Sequence, residues 1–373
     1  MKILYVTTIS NTVNAFLVPH IKMLIGMGHK VDVAFNVEQK VKPEIKEIGC
    51  VVHEVPFTRT PFSKDNIKAY RILKRIIITE KYGIVHTHTP IASAITRLAC
   101  RNMRNVKVFY TAHGFHFFKG APILNWLVYY PIEKLLSRFT DVLITINDED
   151  YNLSINRKFK ANKIEHVKGV GVNINKFSPQ TSEKKQKLRR TYNYTDKDFI
   201  LIYVGELSYR KHQDFLISAV SVVKRDIPNI KLLLVGEGDL YGDYKKLITL
   251  LRVENNVELL GYRRDVPDLM SIADVAVSSS RQEGLPVNVM EAMAVGLPLV
   301  VSNSRGNRDL VINGKNGIVV ELDNVNELSN ALVKLYKSEE LRKRYGAEGL
   351  AMINNYSLEN ILKKMKCIYS DLL

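Results

Sequence analysis

Hydrophobic positions in the first half of this chain come in short unbroken runs rather than in alternation. ILYVTT (3–8), VDVAF (31–35), IVHTH (84–88), VKVFYTAH (106–113) and DVLITI (141–146) read as strands. Continuous apolar runs of this kind suit parallel strands buried on both faces. Between them, AFLVPHIKMLIGMG (15–28), NIKAYRILKRIIITEKYG (66–83) and PIASAITRLACRN (90–102) carry helical periodicity. Pro19 lies early in the first of these, where it marks either a helix start or a kink. The second half repeats the scheme. FILIYVG (199–205), KLLLVG (231–236), VELLG (257–261), DVAVSSS (274–280), PLVVS (298–302) and GIVVE (317–321) read as strands, with helices such as 212–226 and 243–255 between them. The stretch 357–373 opens on Ser357-x-x-Asn360, an imperfect capping box, and runs on as an amphipathic helix.

Strand–helix alternation in both halves predicts two doubly wound α/β domains with right-handed crossovers. The join is expected near 169–185, where glycines, polar residues and Pro179 cluster, giving domains over 1–175 and 176–355 with the terminal helix after them. A length of 373 residues agrees with two domains. In such folds ligands bind at the carboxyl ends of the strands. His113, Gly205, Gly236 and Glu283 all fall at or just beyond predicted strand ends.

Composition narrows the class. Apolar content of 46% and charged content of 25% are those of an ordinary globular protein. No apolar run approaches the roughly 18 residues of a membrane span. The N-terminus reads as a first strand and lacks the features of a signal peptide. Cys50, Cys100 and Cys367 are far apart, so neither disulfides nor a thiolate metal site is expected, and a reducing cytoplasm fits. The net charge of +16 is uneven: residues 1–175 hold 25 Lys and Arg against 13 Asp and Glu, a balance of +12, which leaves +4 for the remainder. A basic first half serves solubility, a polyanion or an anionic membrane surface. Nucleic acid is disfavoured, because no RNP-like aromatic segment or zinc-finger spacing occurs.

The most informative segment is SSRQEGLPVNVMEAMA (279–294). Glu283 precedes Gly284-Leu285, a helical pattern begins at Pro286 as its first residue, and Glu291 lies about two turns down that helix from Glu283. The first amides of a helix have no intrahelical partner and favour an anion. A phosphate cradle flanked by two carboxylates suggests a nucleotide-sugar site: amides for the diphosphate, carboxylates for sugar and ribose hydroxyls. The plainer alternative is a surface loop leading into an amphipathic helix with Glu291 solvated.

With VKGVGVNINKF, YVGELSYRKH, LLLVGEGDL, VELLGYRRDVPDLMSIADVAVSSSRQEGLPVNVMEAMAVGLPLVVS and NGKNGIVVE in this order, the chain resembles the family-four retaining glycosyltransferases of GT-B fold. The likeness spans essentially the whole chain. HTHTP and FYTAHGF in the first half resemble members that build capsule or exopolysaccharide repeat units. It implies two Rossmann-like domains facing across a cleft, with the C-terminal helix (356–373) returning to an acceptor-binding first domain and the donor in the second. By the same resemblance Glu283 contacts the donor sugar, Glu291 the ribose, Gly284 to Val287 the distal phosphate and Lys211 the diphosphate. Gly205 opens the phosphate segment, His113 lies near the donor sugar, and Gly261-Tyr262-Arg263 lies where the base is held.

Two departures from the family pattern stand out. Glu206 occupies a position where the family often has arginine, so either Glu206 turns away or Arg210 supplies the charge beside Lys211; the second is favoured. Asn173 replaces a more usual aspartate. The expected reaction is a metal-independent, cofactor-free transfer with retention. Its donor is a UDP-hexose or UDP-N-acetylhexosamine and its acceptor a polyprenyl-diphosphate-linked saccharide, at the inner face of the cell membrane. No nucleophile stands out, so front-face displacement is the expected mechanism. A UDP-sugar 2-epimerase of the same fold and a non-enzymatic anionic-surface binder are the alternatives.

Other signals are read conservatively. Asp148-Glu149-Asp150 is taken to cap the following helix rather than to bind metal. His86-x-His88 is taken as a strand-end polar cluster, His116 as a pocket or loop residue, and Gly236-Glu237-Gly238 as a tight turn. Trp126, Tyr129 and Tyr130, near Lys134 and Arg138, either dip into a membrane interface or pack on the sheet. Packing is favoured, and Lys68, Arg71, Lys74 and Arg75 still offer a basic docking face.

Overall fold

The computed structural model describes residues 1–61 and 63–371. The end of the expected terminal helix, Leu372 and Leu373, lies outside the described residues. The chain divides into two compact units, Met1–Val170 with Ile361–Leu373, and Gly171–Asn360.

The first unit holds strands β1 (Lys2–Ile9), β2 (Lys30–Asn36), β3 (Val52–Glu54), β4 (Ile84–His88), β5 (Lys107–Ala112), β6 (Val142–Thr145) and β7 (Lys163–His166). They form one parallel sheet in the order β3-β2-β1-β4-β5-β6-β7. Successive side chains of a strand point to opposite faces, so Ile3 and Tyr5 enter one core and Leu4 and Val6 another. The first core is closed by the helix Val18–Gly26 and by Ile361, Met365, Ile368 and Tyr369 of the terminal helix Leu358–Ser370. That 3–4 spacing turns one helix stripe onto the sheet, at about 1.5–3 kcal/mol for each fully buried large apolar side chain. The second core is closed by the helices Asp65–Thr79 and Pro90–Cys100. Pro19 lies inside a helical run that begins at Ser10 and continues unbroken to Gly26. A π-helical stretch, Val13–Leu17, leads directly into Val18–Gly26, and Pro19, which lacks an N–H, follows this irregular turn.

The second unit holds β8 (Phe199–Val204), β9 (Ile230–Val235), β10 (Val257–Gly261), β11 (Val275–Ser278), β12 (Leu299–Ser302) and β13 (Gly317–Val320). They are parallel in the order β10-β9-β8-β11-β12-β13. In both sheets the strand order reverses once, at β1/β4 and at β8/β11. The crevice beyond such a reversal is where doubly wound sheets take ligands.

Strand edges account for the elements absent from the sequence reading. β3 and β7 are short, polar edge strands without an apolar run. The helix Ser182–Thr191 is almost wholly polar and is set by its Thr181 cap and by Arg189, which reaches under it to the Ile272 carbonyl and Asp274. Near the join, Val172 donates to the Tyr356 carbonyl and accepts from Leu358, tying the two stretches of chain that pass between the units. Gly171 is required there: its φ is +86°, and a Cβ would lie 2.7 Å from Leu358 Cα. Val172, Tyr356 and Leu358 all fall within the second compact unit, which runs from Gly171 to Asn360.

Candidate functional site

Beyond β8 and β11 the second unit gathers most of the residues singled out from sequence. The β8 strand delivers Gly205 and a loop through Glu206, Arg210 and Lys211; β11 delivers Ser279, Ser280 and the loop to Glu283. The Lys211 ammonium donates to Glu283 Oε1 at 2.6 Å, and Arg210 donates to Glu283 Oε2 at 3.2 Å and to the Gln282 carbonyl at 3.3 Å. Both loops are fixed from below. Tyr203 Oη lies 2.7 Å from Ser280 Oγ, Ser279 Oγ donates to the Lys211 carbonyl, and the Arg281 amide donates to the Arg210 carbonyl.

Glu283 is 7% exposed and Lys211 9%. Burial pushes the Glu283 carboxyl up, but Lys211 and then Arg210 outweigh it and hold it below the usual carboxylate range. Burial likewise pulls the Lys211 ammonium down, but Glu283 and, less strongly, Tyr203 together hold it above the usual range. The directions agree: this is a charged pair. Removing one member of such a pair costs about 3–5 kcal/mol. With Arg210 included, two cations face one buried carboxylate. Glu206 is exposed, 4.0 Å from Arg210. It turns outward, and Arg210 stands beside Lys211.

The helix Val287–Val295 follows, with Pro286 as its cap rather than its first helical residue. Among the described residues nothing accepts a hydrogen bond from the amides of Gly284, Leu285, Val287 or Asn288. Gly306 (φ +77°) backs this loop, and a Cβ there would lie 2.4 Å from the Gly284 carbonyl oxygen. Glu291 is half-buried and has no hydrogen-bond partner among the described residues. Burial pushes its carboxyl up to about 7, against the weaker pull of Lys176. The two glutamates eight positions apart are thus held in opposite ways.

Other predicted residues lie apart from this cluster. Tyr262 is 69% exposed. Arg263 is held by Asp265, Nε to Oδ1 at 2.9 Å, and lies near the Tyr192 ring. His113 belongs to the first unit, at the end of β5, where His88 Nδ1 lies 3.0 Å from its Nε2. Burial, with a smaller push from His20, lowers its pKa to about 4, so the ring is neutral at pH 7.

Sequence reasoning missed Arg305, Gly306, Tyr203 and the Ser279–Ser280 pair. Arg305 is 2% exposed and donates to the Glu283 carbonyl at 3.0 Å. The strand-end rule applied to β12 would have found Arg305 and Gly306. Asp148-Glu149-Asp150 forms the first turn of the helix Asp148–Asn156, whose cap is Asn147. Among the described residues no three His, Cys, Asp or Glu side chains converge as metal ligands. Trp126 and Tyr130 pack against Phe117, while Ile123, Leu124 and Leu127 of the same helix face solvent. No helix among the described residues is long and apolar enough to cross a membrane.

Parallel six- and seven-stranded sheets, with a charged pair and an open helix start at one strand-order reversal, define a doubly wound α/β protein whose second unit is suited to an anion. Known proteins give the family. Residues 184–352 match the model for glycosyl transferases group 1, and residues 2–147 match glycosyl transferase 4-like. The Bacillus subtilis (strain 168) protein named glycosyltransferase EpsD is 38% identical over 99% of this chain and 96% of its own. The Escherichia coli UDP-Gal:alpha-D-GlcNAc-diphosphoundecaprenol alpha-1,3-galactosyltransferase is 30% identical over 83% of this chain and 79% of its own. The fold matches Anabaena Alr3699/HepE, solved with UDP and glucose, at a TM-score of 0.82 and 22% identity over 100% of both chains. The chain belongs to this glycosyltransferase family and has its GT-B fold.

Proposed function

We propose that this glycosyltransferase is a retaining, metal-independent hexosyltransferase of capsule or exopolysaccharide synthesis, moving a sugar from a UDP-hexose or UDP-N-acetylhexosamine to a polyprenyl-diphosphate-linked saccharide. One observation carries the reading: a buried, ionised Glu283 held by Lys211 and Arg210 beside the open amides of Gly284, Leu285, Val287 and Asn288. Diphosphate oxygens complete those amides, the surplus cation offsets the charge that grows on the leaving group, and Glu283 orients sugar hydroxyls. Together they do what a divalent ion does in other transferases. Glu291 accepts from the ribose, and the backbone near Tyr262 and Arg263 receives the base. His113 is assigned to the donor sugar. The bond from the anomeric carbon to the diphosphate breaks while the acceptor oxygen bonds on the same face, and the acceptor proton passes to the departing phosphate oxygen.

The lipid-linked acceptor is supported by the diphosphoundecaprenol in the name of the E. coli relative and by a Staphylococcus aureus relative named for capsular polysaccharide biosynthesis. Docking at the cytoplasmic face of the membrane is supported by Ile123, Leu124 and Leu127, each more than 60% exposed, and by exposed Arg71, Lys74, Arg75 and Arg138 in the same unit. Turnover on a panel of UDP-sugars with lipid-linked acceptors tests the reaction. Transfer to the lipid-linked sugar with the donor's anomeric configuration kept is expected, and release of a free epimerised sugar without acceptor would overturn it. In flotation assays, anionic liposomes should carry the protein up and neutral ones leave it behind; equal behaviour would remove the membrane assignment.

A further inference from the structure

The proposed reaction uses His113 but leaves three buried histidines beside it unexplained. His20, His86 and His88 are each at most 5% exposed. His86 stacks on His88 with ring centroids 4.3 Å apart. Both His86 nitrogens are engaged, Nδ1 with Tyr369 Oη at 2.6 Å and Nε2 with Thr111 Oγ1 at 2.8 Å. His20 Nε2 lies 3.0 Å from the Val170 carbonyl oxygen. His88 differs: its Nδ1 meets His113 Nε2, while its own Nε2 is buried without a partner among the described residues.

Two neutral imidazoles in contact share one proton, and it can sit in two ways. If His113 donates from Nε2, His88 must carry its proton on Nε2, a buried N–H with no acceptor. If His88 donates from Nδ1, its Nε2 is a bare lone pair and His113 carries its proton on Nδ1. Buried orphan donors are rarer in folded proteins than under-used acceptors. The adjoining cavity, about 20 Å³ and mostly apolar in lining, has room for at most one water. A water needs two or more polar partners, and His20 Nε2, both His86 nitrogens and Thr111 Oγ1 are already bonded.

We infer that His88 is a positioning residue: by donating from Nδ1 it fixes His113 as the neutral Nδ1–H tautomer and turns that N–H into a standing donor for a hydroxyl oxygen of the bound saccharide. The packed rings and the Tyr369 anchor from the terminal helix keep His88 in the one orientation that does this. The inference rests on the reading of His113 as a saccharide contact, and its first measurement does not need that reading.

Nitrogen-15 imidazole spectra of histidine-labelled protein read the tautomer directly, with the His113 signals identified by their loss in His113→Gln. A protonated Nδ1 and bare Nε2 on His113 are expected in the native protein, with that preference lost in His88→Leu. A protonated Nε2 on native His113 would overturn the proposal, as would a His113 tautomer unmoved by His88→Leu. Turnover should fall about tenfold in His88→Leu, the size of one lost hydrogen bond, with UDP affinity unchanged. His88→Asn, which can place an amide N–H near the same point, should restore most of it. If the tautomer shifts while turnover does not, His113 is not a saccharide contact and the use proposed for its N–H fails. If native protein binds no UDP-sugar, the functional reading fails while the spectra still decide the tautomer.

Discussion

The two units carry a strand-order reversal in the same topological place and have filled its surroundings with opposite chemistry. At the carboxyl ends of β4 and β5 the histidines are uncharged: burial keeps His86, His88 and His113 neutral, His88 meets His113, and His86 is bonded to Tyr369 and Thr111. Around β8 and β11 the paired side chains are ions: Lys211 and Arg210 on Glu283. A neutral cluster holds hydrogen-bond directions, whereas a charged cluster with a surplus cation holds an anion. That difference is what a transferase needs if one unit orients hydroxyls and the other grips a diphosphate.

The sharpest break in this contrast comes from the charged side. Glu283→Gln removes the charge and keeps the shape, and turnover should fall about a thousandfold while the protein stays folded, within the range for losing a group that acts in the transition state. UDP-release kinetics with a circular dichroism melt would check it. Near-normal turnover would make the Lys211–Glu283 pair structural and erase the contrast.

Glu291 sharpens it next. Its carboxyl is raised to about 7 in the free protein, and in the proposed role the ionised form is the stronger acceptor for ribose hydroxyls. UDP affinity should therefore rise about tenfold from pH 6 to pH 8, as a site titrating near 7 would give. Glu291→Gln should lack that part of the slope, by calorimetry at both pH values. The stability sign is the reverse. A carboxyl raised by folding favours the folded state below its unfolded pKa and loses that contribution as pH climbs through 7. Glu291→Gln should thus melt higher than the native protein at pH 8.

The smallest effect belongs to Arg210. It is half-exposed, so water screens it, and Arg210→Ala should weaken UDP binding about fivefold. Unchanged affinity by calorimetry would leave Lys211 alone with the diphosphate, and Glu206 would then stand where a cation is missing.

How much of this could be read in advance differs between elements. β1, β2, β4–β6 and β8–β13 were legible because strands buried on both faces must be continuously apolar. β3, β7 and the helix Ser182–Thr191 were not, because an edge strand and a polar helix owe their form to partners far away in sequence. Glu283, Glu291 and the turn into Val287–Val295 were legible as a group; Arg305 and Gly306 were legible only as residues beyond a predicted strand end, and their contact with the Glu283 loop was not, since that contact joins two strand ends.

The sequence alone determined the alternation, both parallel sheets, the resemblance to its family and the pairing of a glycine-rich turn with two glutamates. Each of these is written in neighbouring residues. Tertiary structure alone decided that Glu283 is ionised against Lys211 while Glu291 is pushed toward neutrality, and that His88 rather than solvent meets His113. Ionisation and tautomer are set by burial and by partners, and those exist only once distant strand ends have been brought together.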